Sequence, residues 1–235
     1  MASAKINALF TFFAFCTAVL SFFCSFATQL YIKKEEDMAE TKKIRTALIS
    51  VFHKDGLDDV LLRLDKAGVT FLSTGGTAQY IQSQGYKCVK VEDITSYPSI
   101  LGGRVKTLHP KIFGGILGRR DNGGDREQMQ RYGIPDIDLV IVDLYPFEAT
   151  VASGASDDDI IEKIDIGGIS LIRAGAKNFK DVVIIPSKNE YATLLDILNK
   201  KGAQTDIEDR QMLAERAFGI SSSYDTAIHN WFSNK

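Results

Sequence analysis

Between Arg45 and the C-terminus the spacing of apolar residues keeps changing from that of a strand to that of a helix and back. Arg45–Val51 (RTALISV) is a short β-favouring run, and over Gly56–Lys66 apolar residues recur at Leu57, Val60, Leu61 and Leu64, the spacing of one helix face. Val69–Leu72 predicts a second strand after the stop at Gly68, Thr77–Gln84 a short helix closed by Gly85, and Tyr86–Val91 a third strand. Asp138–Leu144 (DLVIVDL) is almost continuously aliphatic, as a parallel strand covered on both faces must be. Ser156 followed by Asp157, Asp158 and Asp159 predicts a capped helix running through Lys163, because acids suit a helix's first turn. Asp181–Ile185 predicts another strand, ended by Pro186, and Asn189–Lys200 and Asp206–Phe232 read as amphipathic helices. Strands separated by helical segments predict an α/β fold, a doubly wound and mainly parallel sheet with a helical C-terminal end.

Residues 1–37 break this pattern. Ala8–Ala27 carries no charge and lies between Lys5 and the pair Lys33-Lys34. Its length suits a helix across a bilayer, and its flanks suit a signal peptide. A third reading makes it translated upstream sequence ahead of a true start at Met38. The expected organisation is an apolar extension over 1–37 and one complete domain over 38–235. The body offers no pair of cysteines to an oxidising compartment, since Cys16 and Cys24 lie in the apolar run and only Cys88 remains. A cytoplasmic body is the expectation.

Composition narrows the function classes. Of the 235 residues, 45% are hydrophobic and 25% charged, ordinary globular values, and the net charge of −2 speaks against a broad nucleic-acid surface. Any anionic ligand must therefore be met by a local site. His53, His109 and His229 have no ligand-like spacing with cysteine or one another, so no metal site is expected.

In doubly wound sheets ligands bind beyond the carboxyl ends of the strands, and the loops there carry the candidate chemistry. The first, Ser50-Val51-Phe52-His53-Lys54-Asp55-Gly56, is a polar loop with one cation at the mouth of the sheet. The second, Ser73-Thr74-Gly75-Gly76-Thr77-Ala78, places small and hydroxyl residues before a helix, where free amides favour an oxyanion. It matches neither nucleotide-binding glycine signature and also reads as a plain glycine turn. The third, Gly102-Gly103-Arg104-Val105-Lys106-Thr107-Leu108-His109-Pro110, alternates two cations with a hydroxyl beside them, a suitable set for phosphate or a developing oxyanion. His109 reads as a structural residue beside Pro110. The fourth group joins Asp143 and Tyr145 at the end of the aliphatic strand to Asp165, which precedes two glycines and a helix start, and to Lys177 on that helix, four residues after Arg173. An acid, a phenol and a lysine in one crevice supply proton transfer and oxyanion stabilisation. The plainer reading makes Asp165 a helix cap and Lys177 a surface cation.

Residues 44–235 resemble the IMP cyclohydrolase domain of the bifunctional purine-biosynthesis family that also carries AICAR transformylase. The stretches ISVFHKDGL, STGGTA, LGGRVKTLHPKIFGGIL, DLYPFEATVAS, EKIDIGGISLIRAGAKN and YDTAIHNWF carry the resemblance in order. It implies a methylglyoxal-synthase-like fold and the closing step of IMP synthesis, in which 5-formamidoimidazole-4-carboxamide ribonucleotide (FAICAR) closes its ring and loses water, with no cofactor. Nucleotide-binding positions look like Ser50, Phe52, His53 and Lys54, then Thr74, Gly75, Gly76 and Thr77, then Arg104, Val105 and Thr107. Base-side positions look like Val142, Asp143 and Ile166. Lys177 resembles the family's proton donor and acceptor, with Lys106, Tyr145 and Asp165 as its catalytic neighbours. The family often has Ser at positions 52 and 74 and Asn at 143, so Phe52 offers only its backbone and Asp143 a carboxylate where an amide would stand. The resemblance further implies a homodimer acting on a small nucleotide. With the chain stopping at Lys235, the expectation is that the transformylase domain is absent and a separate enzyme formylates AICAR. A phosphate-sensing regulatory module and a methylglyoxal-synthase-type lyase share the phosphate loops. The regulatory module does not need Lys106, Tyr145, Asp165 and Lys177 together, and the IDIGG…AGAKN segment and the C-terminal helices argue against the lyase.

Overall fold

A computed structural model of the chain describes residues 41–235. From its N-terminal side come β1 (Lys42–Lys43), β2 (Thr46–Val51), α1 (Leu57–Lys66), β3 (Thr70–Ser73), α2 (Gly75–Ser83), β4 (Cys88–Lys90) and α3 (Val91–Thr95). A 3-10 turn at Leu101–Gly103 leads to α4 (Pro110–Leu117), α5 (Gly123–Arg131), β5 (Leu139–Asp143), α6 (Phe147–Ala152), α7 (Asp157–Ile161) and α8 (Gly167–Lys177). The chain ends with β6 (Val183–Ile185), α9 (Tyr191–Lys201), β7 (Gln204–Thr205) and α10 (Ile207–Ser233). The apolar run Ala8–Ala27 lies outside the described residues. Among the described residues no helix is long and apolar enough to cross a membrane.

Five parallel strands form the main sheet in the order β4-β3-β2-β5-β6, the doubly wound α/β arrangement expected. Aliphatic continuity explains the middle: Leu139, Val140, Ile141 and Val142 of β5 are each fully buried, and so are Ala47, Leu48 and Ile49 of β2. The Asp138 carboxylate sets the start of both strands by accepting from the amides of Arg45 (2.9 Å) and Thr46 (3.0 Å). α1 buries Leu57, Val60, Leu61 and Leu64, the four positions its spacing singled out. α8 lies against β5 and β6, with α10 and α4 packed on it.

Several boundaries differ from the sequence reading. The third strand is only Cys88–Lys90, and Val91, fully buried, opens α3 instead. α4 starts at Pro110 with His109 as its cap, whose Nδ1 accepts from Lys111 N at 3.1 Å, so the histidine has the structural role expected of it. β1 and β7 make a separate antiparallel pair.

α4 approaches the segment before β5 so closely that Gly115 has no room for a side chain. A Cβ there would stand 2.5 Å from Pro135 O and 3.0 Å from Ile137 Cδ1. Gly115→Ala is therefore expected to destabilise the protein by about 1–3 kcal/mol, outweighing the gain in helix propensity. A urea midpoint equal to the parent's would show that the segment yields.

Candidate active site

Three strand ends and the start of α8 converge at the carboxyl edge of the sheet. At the end of β2 the chain turns through Phe52-His53-Lys54. Lys54 Nζ donates to the carbonyls of Val51 and Phe52, the latter at 2.9 Å. Burial holds its ammonium below the ordinary lysine pKa; Asp143 opposes that shift and Lys106 adds to it. Asp143, closing β5, receives the His53 amide at 3.0 Å and meets His53 Nδ1 at 2.7 Å, both through Oδ2. Its carboxylate is thus engaged inside the protein, which gives a physical use to an acid where the family often has Asn.

At the end of β3 the chain enters α2 through Thr74-Gly75-Gly76-Thr77. Threonine at a helix start normally accepts from the helix's own amides. Here the Thr74 hydroxyl donates instead to Glu92 Oε1 at 2.6 Å and caps nothing, while Glu92 Oε2 is buried with no hydrogen-bond partner among the described residues. The Thr77 hydroxyl is also spent, donating to Val51 O at 3.0 Å and accepting from Val51 N at 3.3 Å. What α2 presents to solvent at its start is the backbone of Gly75 and Gly76. Gly75 has φ +55, where a side chain is strained, and a Cβ there would stand 3.8 Å from Lys106 Nζ. Arg104 is a looser member of the set: it pairs with Glu162, with both side chains more than half exposed. An exposed pair of this kind is worth little, so a phosphate can exchange for the carboxylate.

Lys106 also faces the start of α8. There Asp165 Oδ1 accepts from Gly168 N at 2.6 Å, so Asp165 caps α8 as the plainer reading had it, and it also faces the crevice. Burial lifts its carboxyl above the ordinary aspartate range, opposed by the Gly168 amide, the Lys106 ammonium and the amides of Tyr145 and Gly167. Tyr145 is raised by burial and by Asp165, which keeps its phenol a donor. Thr107 is buried against this helix start, since a Cβ at Gly167 would stand 3.3 Å from its Oγ1. The Tyr145 ring meets Phe52 edge to face, centroids 5.4 Å apart, and Lys163 Nζ lies 5.8 Å from each ring. Tyr224 of α10 ties the turn together: its hydroxyl accepts from Asp165 N and donates to Lys163 O, both at 2.8 Å. Burial pushes that phenol up to about 12.

The structure therefore gathers Phe52, His53, Lys54, Gly75, Gly76, Lys106, Asp143, Tyr145 and Asp165 around one crevice. It does not gather all the expected residues. Val142 is fully buried, so only its backbone can face a ligand, while Ile166 is exposed and Ser50 and Val105 are half-buried. Lys177 ends α8, and ten residue steps place it about 15 Å along the helix from Gly167. Arg173, one turn before it, is occupied by α10, donating to Ser221 Oγ at 3.2 Å and lying over the Phe218 ring. Within the chain Lys177 is thus apart from Tyr145 and Asp165. The sequence reading missed Glu92, Glu162, Lys163 and Tyr224. Lys163 stands inside the quoted EKIDIGG stretch and was open to notice; Tyr224 is 59 residues from Asp165, and only the fold joins them.

Residues 56–170 match the MGS-like domain family and residues 175–235 the AICARFT/IMPCHase bienzyme family. The chain is 65% identical over 195 residues to the bifunctional purine biosynthesis protein PurH of Bacteroides thetaiotaomicron, covering 83% of this chain and 38% of the relative. It is 46% identical over 192 residues to PurH of Magnetococcus marinus, covering 81% and 36%. The chain thus spans little more than a third of the length of these relatives. Among solved structures, the crystal structure of ForH aligns with a TM-score of 0.67 at 33% identity, over 80% of this chain and 99% of that one.

Proposed function

We propose, from the matches to the MGS-like and AICARFT/IMPCHase families, that the chain is an IMP cyclohydrolase, closing the ring of FAICAR to IMP and water. One observation carries the reading: Lys106 bridges the two ends of the crevice, with its ammonium beside Gly75 at the start of α2 and its charge acting on Asp165 at the start of α8. An anion-holding end and an acid–phenol end are thereby joined by one cation, an arrangement suited to a ligand with a phosphate at one end and a base at the other.

In the reaction the carboxamide nitrogen attacks the formyl carbon, and the C=O electron pair moves onto the formyl oxygen. The carboxamide nitrogen and the formamide nitrogen each give up one proton, and both leave with that oxygen as water. Orientation supplies much of the gain, because the carboxamide is a weak nucleophile. The amides of Gly75 and Gly76, with Lys106 and an Arg104 released from Glu162, hold the 5′-phosphate. Lys54, His53 and Asp143 shape the floor between. The Tyr145 phenol donates to the formyl oxygen, and Asp165, whose raised pKa makes it a stronger base than an ordinary aspartate, takes and returns a proton.

Lys177 cannot reach this group in one protomer, so the proton role that the resemblance gives it requires a second copy of the chain. The homodimer we infer supplies one. The same reading puts the enzyme in the cytoplasm with its soluble nucleotides and requires a formyl-transfer reaction upstream. The test is the ultraviolet absorbance of IMP formed from FAICAR by the purified chain. Enzyme-dependent formation is the expected result, and a rate equal to the uncatalysed one would overturn the assignment.

A further inference from the structure

We propose that Lys163 is a further active-site cation of the ring closure, binding the formyl oxygen as negative charge gathers on it. The inference rests on the proposed cyclohydrolase reading and adds a residue to it. Four observations converge. Lys163 is half-buried, and among the described residues its ammonium makes no ion pair; its Nζ lies 5.8 Å from the ring centroids of both Phe52 and Tyr145. The neighbouring acid, Glu162, pairs with Arg104 and not with Lys163, so the lysine is unpaired when the substrate arrives. The lysine is also held in place: Tyr224 takes its carbonyl and the Asp165 amide at 2.8 Å each, so Lys163 and Asp165 project from one pinned turn.

The fourth observation concerns what lies beneath the ammonium. Phe52 is 39% exposed and Tyr145 36% exposed, and together they form an open aromatic ledge beside Asp165. A planar heterocycle can pack against one of these two perpendicular rings, and a cation near ring faces is weakly held and ready to turn to an anion. Lys106 is shared between the phosphate end and Asp165, whereas Lys163 is the cation that stands over the Tyr145 ring itself. When the carboxamide lone pair forms the new C–N bond and the carbonyl pair moves to oxygen, the Lys163 ammonium donates a hydrogen bond to that oxygen and keeps its proton. The charge it meets exists mainly in the transition state, so its contribution belongs in kcat rather than in KM.

The test is steady-state FAICAR cyclisation by the full chain and its Lys163→Met and Lys163→Arg variants, with thermal midpoints and IMP affinity measured alongside. Lys163→Met is expected to lower kcat by about ten- to a hundredfold. Its KM, midpoint and IMP affinity should stay near the parent's, and Lys163→Arg should recover part of the rate. With an active parent, an unchanged kcat in Lys163→Met, a defect confined to KM, or a Lys163→Arg variant as slow as the methionine one would overturn the inference and leave the cyclohydrolase reading standing. A parent chain that does not cyclise FAICAR overturns both.

Discussion

Asp165→Asn should lower turnover of FAICAR by about 10²–10⁴-fold while leaving the protein folded. The carboxylate has two tasks, and asparagine separates them. As a cap it accepts from Gly168 N at 2.6 Å, and an amide oxygen accepts equally well. As a base it must take a proton, which an amide does not do. Asp165→Ala should lose both, adding a stability defect of about 0.5–2 kcal/mol to the rate loss. The pH dependence follows from the direction of the shift. Burial holds the Asp165 pKa above the ordinary aspartate range, so kcat/KM should rise along an acid limb lying above that range, and Asp165→Asn should abolish the limb. For stability the sign is opposite. A carboxyl raised on folding contributes stability that is fully present below its unfolded pKa and is lost as pH rises through its folded one. The parent should therefore lose stability relative to Asp165→Asn across that window. Urea midpoints against pH check the second claim and stopped-flow absorbance the first; an asparagine variant with the parent's turnover would remove Asp165 from the chemistry.

Arg210→Ala should be the most damaging change away from the crevice, costing about 3–5 kcal/mol. Arg210 is 1% exposed at the start of α10. Its Nε donates to Phe179 O at 2.9 Å, and its Nη1 to Thr205 O and Oγ1 at 2.7 and 3.1 Å. Truncation takes donors from acceptors that water does not reach and leaves a cavity the size of the guanidinium. Lysine should restore little, because a single ammonium cannot span the separate acceptors that the planar fork serves. The measurement is a urea titration with an unchanged slope and a lower midpoint; a loss under 1 kcal/mol would mean that the neighbouring carbonyls find other donors.

How far the chain could be read in advance depended on whether a feature was local. β5 announced itself through unbroken aliphatic residues and α1 through its repeat of Leu57, Val60, Leu61 and Leu64, because burial on two faces or on one stripe leaves a periodic trace. α5 left none: only Met129 of Gly123–Arg131 is buried, so no apolar stripe existed to detect. β1 and β7 exist because Lys42 and Lys43 meet Thr205 and Gln204, a pairing that two residues cannot signal. The same division holds at the crevice. Lys106, Tyr145 and Asp165 stand in distinctive short stretches, and the fold unites them. Thr74 and Thr77 looked like anion donors from their residue type, yet both hydroxyls are used inside the protein, by Glu92 and by β2. A hydroxyl's partner is a tertiary fact. So is the place of Lys177: it shares a helix face with Arg173, but Arg173 is taken up by α10 and Lys177 is exposed at the far end of α8.

The Tyr224 bridge has a consequence for the order in which the protein is made. The turn carrying Lys163 and Asp165 is secured by a hydroxyl 59 positions later in the chain. During synthesis, β2, β3, β4 and β5 can assemble their parallel pairings while the acid-bearing turn still lacks its fastening. Closing so distant a contact is slow relative to local helix formation. A nascent chain should therefore acquire its sheet first and its catalytic competence later, once α10 has docked. A newly made molecule would pass through a stage that resists proteolysis at the sheet but turns over nothing, and Tyr224→Phe should lengthen that stage.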